Sequence, residues 1–301
     1  MKRIYTFLVL AASLILSASA QRSTGGTSRE PFSLISSESA QDAKQLLILQ
    51  TSDMHSRIEP NDVHAADSYA GMGGIVRRTT FIKEARELNP NLLLFDCGDI
   101  SQGTPYYNLF QGEIEVKMMN LMGYDVMVIG NHEFDFGMDN MARLFRMAKF
   151  PIVCANYDVK GTVLEGLVKP YVILKRNGLK IGVFGLSPKL EGLVPADKCA
   201  GVTYSDPIAI AQETADLLKT QKGCDVVVCL SHLGFRLKNA SCDEDLVRET
   251  NNIDVILGGH SHTFMKESAI YLNKDGESVP ILHTGLNGVY VGVLRMTFEK
   301  K

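Results

Sequence analysis

From Leu46 onward the chain alternates between two periodicities, and this alternation limits the folds open to it. Short apolar runs recur as LLILQT, NLLLFD, DVMVIG, FPIVCA, LKIGVFGL, CDVVVCLS, IDVILGG, PILHTG and VYVGVLRMTF. They have strand length and lack the polar positions of a half-exposed strand, which predicts strands buried on both faces. Between them lie stretches with helical spacing. GGIVRRTTFIKEARELN sets Ile75, Phe81, Ile82 and Leu88 on one face, and DNMARLFRMAKF opens at Asp139 as a candidate N-cap. SDPIAIAQETADLLKTQKG begins with an Asp-Pro pair and stops at Gly223, which are good helix start and stop signals. Strands alternating with helices imply a layered α/β fold. No internal repeat or second linker interrupts the pattern before the closing FEKK.

The segment ahead of Leu46 is of another kind. Lys2 and Arg3 precede the apolar run IYTFLVLAASLILSA, and Ala18–Ala20 close it with small residues. This is the order of a secretory signal, with cleavage expected after Ala20. The run is short of the ~20 apolar residues of a spanning helix, and no Cys follows it to take a lipid. Residues 21–45, rich in Ser, Thr and Gly, read as a flexible leader into a domain covering 46–301. The expected protein is exported, periplasmic or secreted, with no membrane segment in its mature form.

Charge narrows the partners. There are 31 basic against 34 acidic residues, a net charge of −3. No basic excess marks a nucleic-acid-binding surface, and none is expected. Export permits disulfides. Cys154 and Cys229 lie inside strand-like runs and read as buried thiols. Cys199 with Cys224 or Cys242 is a possible bridge, but six cysteines do not fix a pairing.

The unusual chemistry sits where the apolar runs stop. Asp53 and His55 follow the first run, two residues apart, and on an extended backbone they would point the same way. Asp99 follows the second, Asn131 and His132 the third, His232 another, and His260 with His262 the GGHSH turn. Ligand sites of open α/β folds gather at the carboxyl ends of strands. Oxygen and imidazole donors together suit Mn, Zn, Fe or Co better than Mg or Ca. Their number exceeds one tetrahedral site. It suits two ions ~3.5–4 Å apart, an arrangement matched to in-line attack at phosphorus.

DMH, GD, GNHEFD, SHLG and GGHSH, in that order, resemble the calcineurin-like metallophosphoesterases. More closely, with GMGGIVRR, GDISQGTPYYNLFQGE and CANYD, they resemble the catalytic domain of the 5′-nucleotidase family, which includes periplasmic nucleotidases and UDP-sugar hydrolases. The resemblance spans about residues 46–298 and implies a single-domain, four-layer αββα sandwich. It implies Asp53, His55 and His262 as ligands of one metal and Asn131, His232 and His260 as ligands of the other, with Asp99 bridging. It makes His132 the transition-state stabiliser or general acid and Asp135 its partner. The implied activity is hydrolysis of nucleotide-like phosphomonoesters by in-line attack of a metal-bridging hydroxide. Alternatives are a phosphodiesterase acting on cyclic nucleotides, a UDP-sugar hydrolase, or a catalytic subunit completed by a separate nucleotide-binding partner. The last follows from a departure: the family's C-terminal domain, which holds the nucleobase, has no counterpart here. A second departure is His262, where many 5′-nucleotidases carry Gln or Asn.

Other polar residues receive weaker readings. Glu133 is expected to hydrogen-bond loop backbone, and Arg77 and Arg78 to form a solvated helix face. His64 and His283 read as structural, Asp96 as support for Asp99, and Cys97 as packing beside the site. Gly71, Gly73 and Gly74 read as a flexible lip.

Overall fold

The computed structural model describes residues 2–11, 44–66 and 68–299. A first sheet of seven strands is ordered β1-β15-β2-β3-β4-β5-β7. Its members are β1 (Lys2–Ala11), β2 (Lys44–Thr51), β3 (Leu93–Asp96), β4 (Val126–Val128), β5 (Ile152–Val153), β7 (Val168–Lys169) and β15 (Tyr290–Glu299). Strands β2 through β7 of this sheet run parallel, and β15 lies antiparallel between β2 and β1. The second sheet is ordered β13-β14-β12-β11-β9-β8. It holds β8 (Tyr171–Arg176), β9 (Leu179–Leu186), β11 (Val226–Ser231), β12 (Val255–Gly258), β13 (Ala269–Leu272) and β14 (Ser278–His283). Its interior is parallel, and β8 and β13 close it as antiparallel edges. A small pair, β6 (Tyr157–Asp158) with β10 (Thr203–Tyr204), stands apart.

The layering is written into the alternation of the first sheet. Leu46 and Ile48, Leu93 and Phe95, Val126 and Val128, and Leu294 and Met296 all pack into a core shared with the second sheet. Their neighbours Leu47 and Leu49, Leu94, Met127 and Val293 pack into a separate core with helices on the outer face. Because the side-chain period of a strand is two, each strand feeds both cores at once. The outer helices are α1 (Ile75–Leu88), α3 (Glu113–Met122) and α4 (Gly137–Met147). Helix α2 (Pro105–Phe110) precedes α3, while α5 (Pro207–Asp216) and α6 (Asp243–Glu249) cover the far face of the second sheet. The result is the four-layer αββα arrangement. At Gly185 the sheets approach so closely that a Cβ would stand 2.5 Å from the Val153 carbonyl oxygen. Gln50 ties the sheets at one end, its Nε2 donating to the carbonyls of Gly258 (3.0 Å) and Leu282 (3.2 Å).

Several sequence expectations meet the structure here. Asp206 caps α5 by accepting the Ala209 N–H at 2.9 Å, with Pro207 opening the helix. Asp139 is not an N-cap: α4 begins at Gly137, which places Asp139 in its first turn, where its charge still complements the helix dipole. Leu88 is 40% exposed, and Ala85 and Arg78 take buried positions on α1 instead. All six cysteines are free thiols, so neither bridge from Cys199 forms, and Cys154 and Cys229 are buried as expected. The front of the expected signal, Lys2–Ala11, forms edge strand β1 against β15. The rest of it, and the leader up to residue 43, lies outside the described residues. Strand β2 begins at Lys44, two residues before the expected boundary.

Candidate metal centre

The strand ends do not deliver their ligands on extended backbone. Asp53, His55 and Ser56 have φ of 49°, 46° and 52°; Asp99 has 55°, His260 72° and His262 52°. Side chains with a Cβ rarely occupy this left-handed region, at a cost of order 1–3 kcal/mol each. Three backbone hydrogen bonds hold the first loop in it: Asp53 N–H to Gly98 O (2.9 Å), His55 N–H to Asp99 O (3.1 Å) and Ser56 N–H to Ile100 O (2.9 Å). The two-residue spacing of Asp53 and His55 therefore works through a left-handed turn rather than a pleat, which corrects the extended reading. His260 and His262 are likewise two apart, yet they join different clusters.

Two groups of ligand atoms result, each within 4.8 Å of one another: Asp53, His55 and His262 in one, Asp99, His232 and His260 in the other. In the first, Nε2 of His55 and Nε2 of His262 lie 2.9 Å apart, and Oδ1 of Asp53 is 3.6 Å from His262 Nε2. In the second, His232 Nε2 is 2.9 Å from Asp99 Oδ2. Asp99 also faces the next loop, because its Oδ1 accepts the backbone N–H of His132 at 2.9 Å.

The donor set fits a divalent pair on this chain's own geometry. Oδ2 of Asp53 and Oδ1 of Asn131 are buried acceptors with no hydrogen-bond partner, a costly state unless something positive meets them. His232 Nδ1 donates to the Cys97 carbonyl at 2.6 Å, which leaves its Nε2 lone pair turned toward Asp99. That is the backbone-fixed tautomer of a metal-ligating imidazole. Burial pushes His55 and His260 down to about 4, so both are neutral and able to ligate near neutral pH. Burial works against charge on His232 too, yet Asp99 and Asp53 raise it to about 10. The carboxylates demand positive charge there by one route or another.

His132 lies beside these groups, its ring 5.4 Å from that of His55. Its Nδ1–H donates to Asp135 Oδ2 at 2.9 Å, a bond that raises the imidazole above its ordinary value. Both side chains of the pair are about one-third exposed, at 32% and 29%.

The supporting residues are better defined than their sequence readings. Glu133 accepts three backbone amides, from Gly130 (2.6 Å), Asp99 (3.1 Å) and Ile100 (2.9 Å), and so joins two ligand loops. Gly130 is required by close approach: a Cβ there would stand 2.2 Å from Asp99 Oδ1. Asp96 supports the turn into Asp99, accepting Gly98 N–H at 3.0 Å and the Thr51 hydroxyl at 2.6 Å. The Cys97 thiol meets the Leu257 carbonyl at 3.2 Å. His283, as expected, is structural. It contacts Asp243 at 2.7 Å, and Asp243 also accepts the Ser231 hydroxyl directly before His232. His64 lies in an exposed loop.

Arg77 and Arg78 overturn their expectation. Arg77 donates to the carbonyls of Gly71 (2.5 Å) and Gly73 (3.3 Å), fastening the glycine-rich segment. Arg78 is 1% exposed and donates to Gly288 O at 3.2 Å. Neither reaches freely into solvent: Arg78 is buried against the loop carrying Gly288, and Arg77, half-buried, turns back onto Gly71 and Gly73. Gln50, and Asp243 and Ser231 as the network partners of His283, went unread in the sequence. A Gln inside LLILQT is the one signal that marks the former.

Comparison with known proteins agrees with this geometry. Residues 46–264 match the calcineurin-like phosphoesterase family. The 5′-nucleotidase of Rattus norvegicus is 31% identical over 277 residues, covering 85% of this chain and 47% of the relative. The solved 5′-nucleotidase precursor from Thermus thermophilus superposes with a TM-score of 0.76 at 30% identity, over 83% of this chain and 51% of that one. The NAD nucleotidase of Haemophilus influenzae gives 0.77 at 28% identity, over 85% and 54%. The chain thus spans about half the length of each of these relatives.

Proposed function

The chain belongs to the calcineurin-like phosphoesterase family, and from that premise we propose that it hydrolyses nucleotide-like phosphomonoesters with two divalent ions. One observation carries the reading: two triads of ligand atoms converge at one end of the paired sheets, with a hydrogen-bonded His–Asp pair beside them. Asp53, His55 and His262 would hold one ion; Asn131, His232 and His260 would hold the other, and Asp99 would be shared. Mn, Zn, Fe or Co match this mixed nitrogen and oxygen set.

When bound, such a pair activates the attacking water and neutralises charge on the phosphoryl oxygens. The rest is done by this chain. Glu133 and the Asp99–His132 amide contact fix the relative placement of the two ligand loops. Asp135 orients His132 and favours its cationic form, so the opposite ring nitrogen can face the phosphate. As the new P–O bond forms and the ester P–O bond breaks, His132 gives its proton to the leaving oxygen or stabilises the charge that builds there.

We further propose export, supported by Lys2, Arg3, the apolar run behind them and Ala18–Ala20. Among the described residues no helix is long and apolar enough to cross a membrane. N-terminal sequencing of protein recovered outside the cytoplasm tests this, with Gln21 expected first.

The activity is tested on metal-stripped protein reloaded with Mn, Zn, Co or Mg, using AMP, other nucleotides, UDP-glucose, cyclic nucleotides and p-nitrophenyl mono- and diesters. Preference for monoesters is expected. Preference for the bis-ester would replace this reading with a phosphodiesterase. Activity on AMP only after addition of a second polypeptide would replace it with a partner-dependent subunit.

A further inference from the structure

Helix α1 turns a stripe of apolar residues inward, Ile75, Phe81, Ile82 and Ala85, and sets Arg78 among them. Packing alone would place a Leu or Met there, because a buried guanidinium costs free energy and its Nε has no hydrogen-bond partner. We propose that Arg78 is a positioning residue for Asp53, acting through the turn at Asn287 and Gly288. The role rests on the two-ion reading for what Asp53 holds, and it is also open to a measurement that needs no ion.

The route is short. Arg78 Nη1 donates to the Gly288 carbonyl at 3.2 Å. The contact leaves no slack, since a Cβ on Gly288 would stand 1.7 Å from Nη1. One residue earlier, the Asn287 N–H donates to the Asp53 carbonyl at 2.7 Å. Asn287 and Gly288 have φ of 61° and 59°, two successive left-handed residues of the types that tolerate this region. The turn's own hydrogen bond, Val289 N–H to Leu286 O, is long at 3.4 Å. The turn therefore has a weak hold on its own shape, and the guanidinium supplies an anchor from the helix.

Asp53 is the residue that uses this anchor. It is itself left-handed, at φ 49°, a conformation that persists only where the surroundings over-determine it. Its backbone is held from both ends: Gly98 O accepts its N–H at 2.9 Å, and Asn287 holds its carbonyl. The His260 N–H fixes Oδ1 at 2.9 Å, which leaves Oδ2 without a protein partner and turned to an ion. Of these three holds, the one on the carbonyl leads back to Arg78. The second cluster has other supports, Glu133 on Asp99 and the Cys97 carbonyl on His232. A fault at Arg78 is therefore a fault of the first ion site and not of both.

The test titrates Zn into metal-stripped protein, read by calorimetry, for the parent, Arg78→Met, Arg78→Lys and Gly288→Ala. Arg78→Met is expected to weaken one site about 10–100-fold, the usual scale for a contact that supports a metal ligand, and to leave the other unchanged. Arg78→Lys, which keeps a cationic donor, should recover affinity. Gly288→Ala displaces the guanidinium from the other side of the same contact and should reproduce the selective loss, which decides the question if Arg78→Met does not fold. Equal weakening of both sites, or of neither, overturns the role. Amide exchange of Asn287 in metal-stripped protein is the second readout. In Arg78→Met it should run about tenfold faster while the amides of β11 keep the parent rate, as local opening without global unfolding requires. If the parent binds no ion and Asn287 still exchanges faster in Arg78→Met, the two-ion reading fails and the anchor stands. If the parent binds two ions and both Arg78→Met and Gly288→Ala match it, with Asn287 exchange unchanged, the anchor fails alone.

Discussion

Glu133 Oε2 accepts the backbone N–H of Asp99 at 3.1 Å, so a residue in one loop of the candidate centre fixes the conformation of a candidate ligand in another. With the amides of Ile100 and Gly130 on the same carboxylate, this contact sets the separation of the loops carrying Asp99 and Asn131. Glu133→Ala leaves three buried N–H groups without acceptors. Metal affinity is expected to fall about 10–100-fold, the usual scale for supporting contacts around metal ligands. Chelator competition measures it, and Glu133→Gln, which keeps one oxygen, should lie between the two.

Substitutions at His132 and Asp135 test whether the proposed catalysis separates from metal binding. Replacing His132 by Ala should reduce kcat about 10²–10⁴-fold, the range of general acid–base catalysis. Metal content should stay at about two ions per chain. Asp135→Asn, which loses the bond that favours the cation, should cost less. Elemental analysis beside steady-state kinetics reads both. A loss of metal in His132→Ala would make this residue a ligand instead.

Gly130→Ala tests the tightest approach at the site. Its Cβ would fall 2.2 Å from Asp99 Oδ1 and 2.5 Å from the Asp99 nitrogen, so the loop must shift. A destabilisation of about 1–3 kcal/mol is expected from such overpacking, read by urea denaturation together with weakened metal binding. Gly161→Ala, which meets nothing within 4 Å, is the control for the substitution itself.

Burial raises Asp96 to about 8 from an ordinary 3.8, against the opposing hydrogen bonds from Thr51 and Gly98. The unfolded carboxyl loses its proton near pH 4 and the folded one near pH 8. Between those values the folded state binds more protons, so this residue's contribution to stability is full below pH 4 and is lost as pH rises through 8. Asp96→Asn has no such titration. Its melting temperature relative to the parent, both stripped of metal, should therefore climb from pH 4 to pH 8. A flat difference would show that Asp96 ionises normally.

The strands were legible because burial on both faces leaves an uninterrupted apolar signature, as in LLILQT and DVVVCLS. The candidate ligand residues stood out because several histidines and carboxylates recur at strand ends in one chain, although a single one there can be structural, as His283 and Asp96 are. Arg78 misled because a charged residue early in an amphipathic helix ordinarily meets water, and only the tertiary contact with the Gly288 loop buries it. Helix α3 escaped because its apolar face, Val116, Met119 and Met122, is short and shares its buried side with Glu115. The left-handed turns at Asp53, His55, Asp99, His260 and His262 could not be read at all. At Asp53, His55, Asp99 and His260 they are held by hydrogen bonds from segments distant in sequence, against the residues' own preference.

Each candidate cluster draws on both sheets. Asp53 and His55 follow β2 of the first sheet while His262 follows β12 of the second; Asp99 follows β3 while His232 and His260 follow β11 and β12. An ion held by either cluster would therefore be a rivet between two layers, added to their shared apolar core and to polar ties such as those of Gln50 and of Arg176 with Asp125. Loading the site and clamping the sheets together become a single equilibrium, linked by mass action. Metal loading of these clusters is then expected to set how long the fold persists as well as whether the site is active.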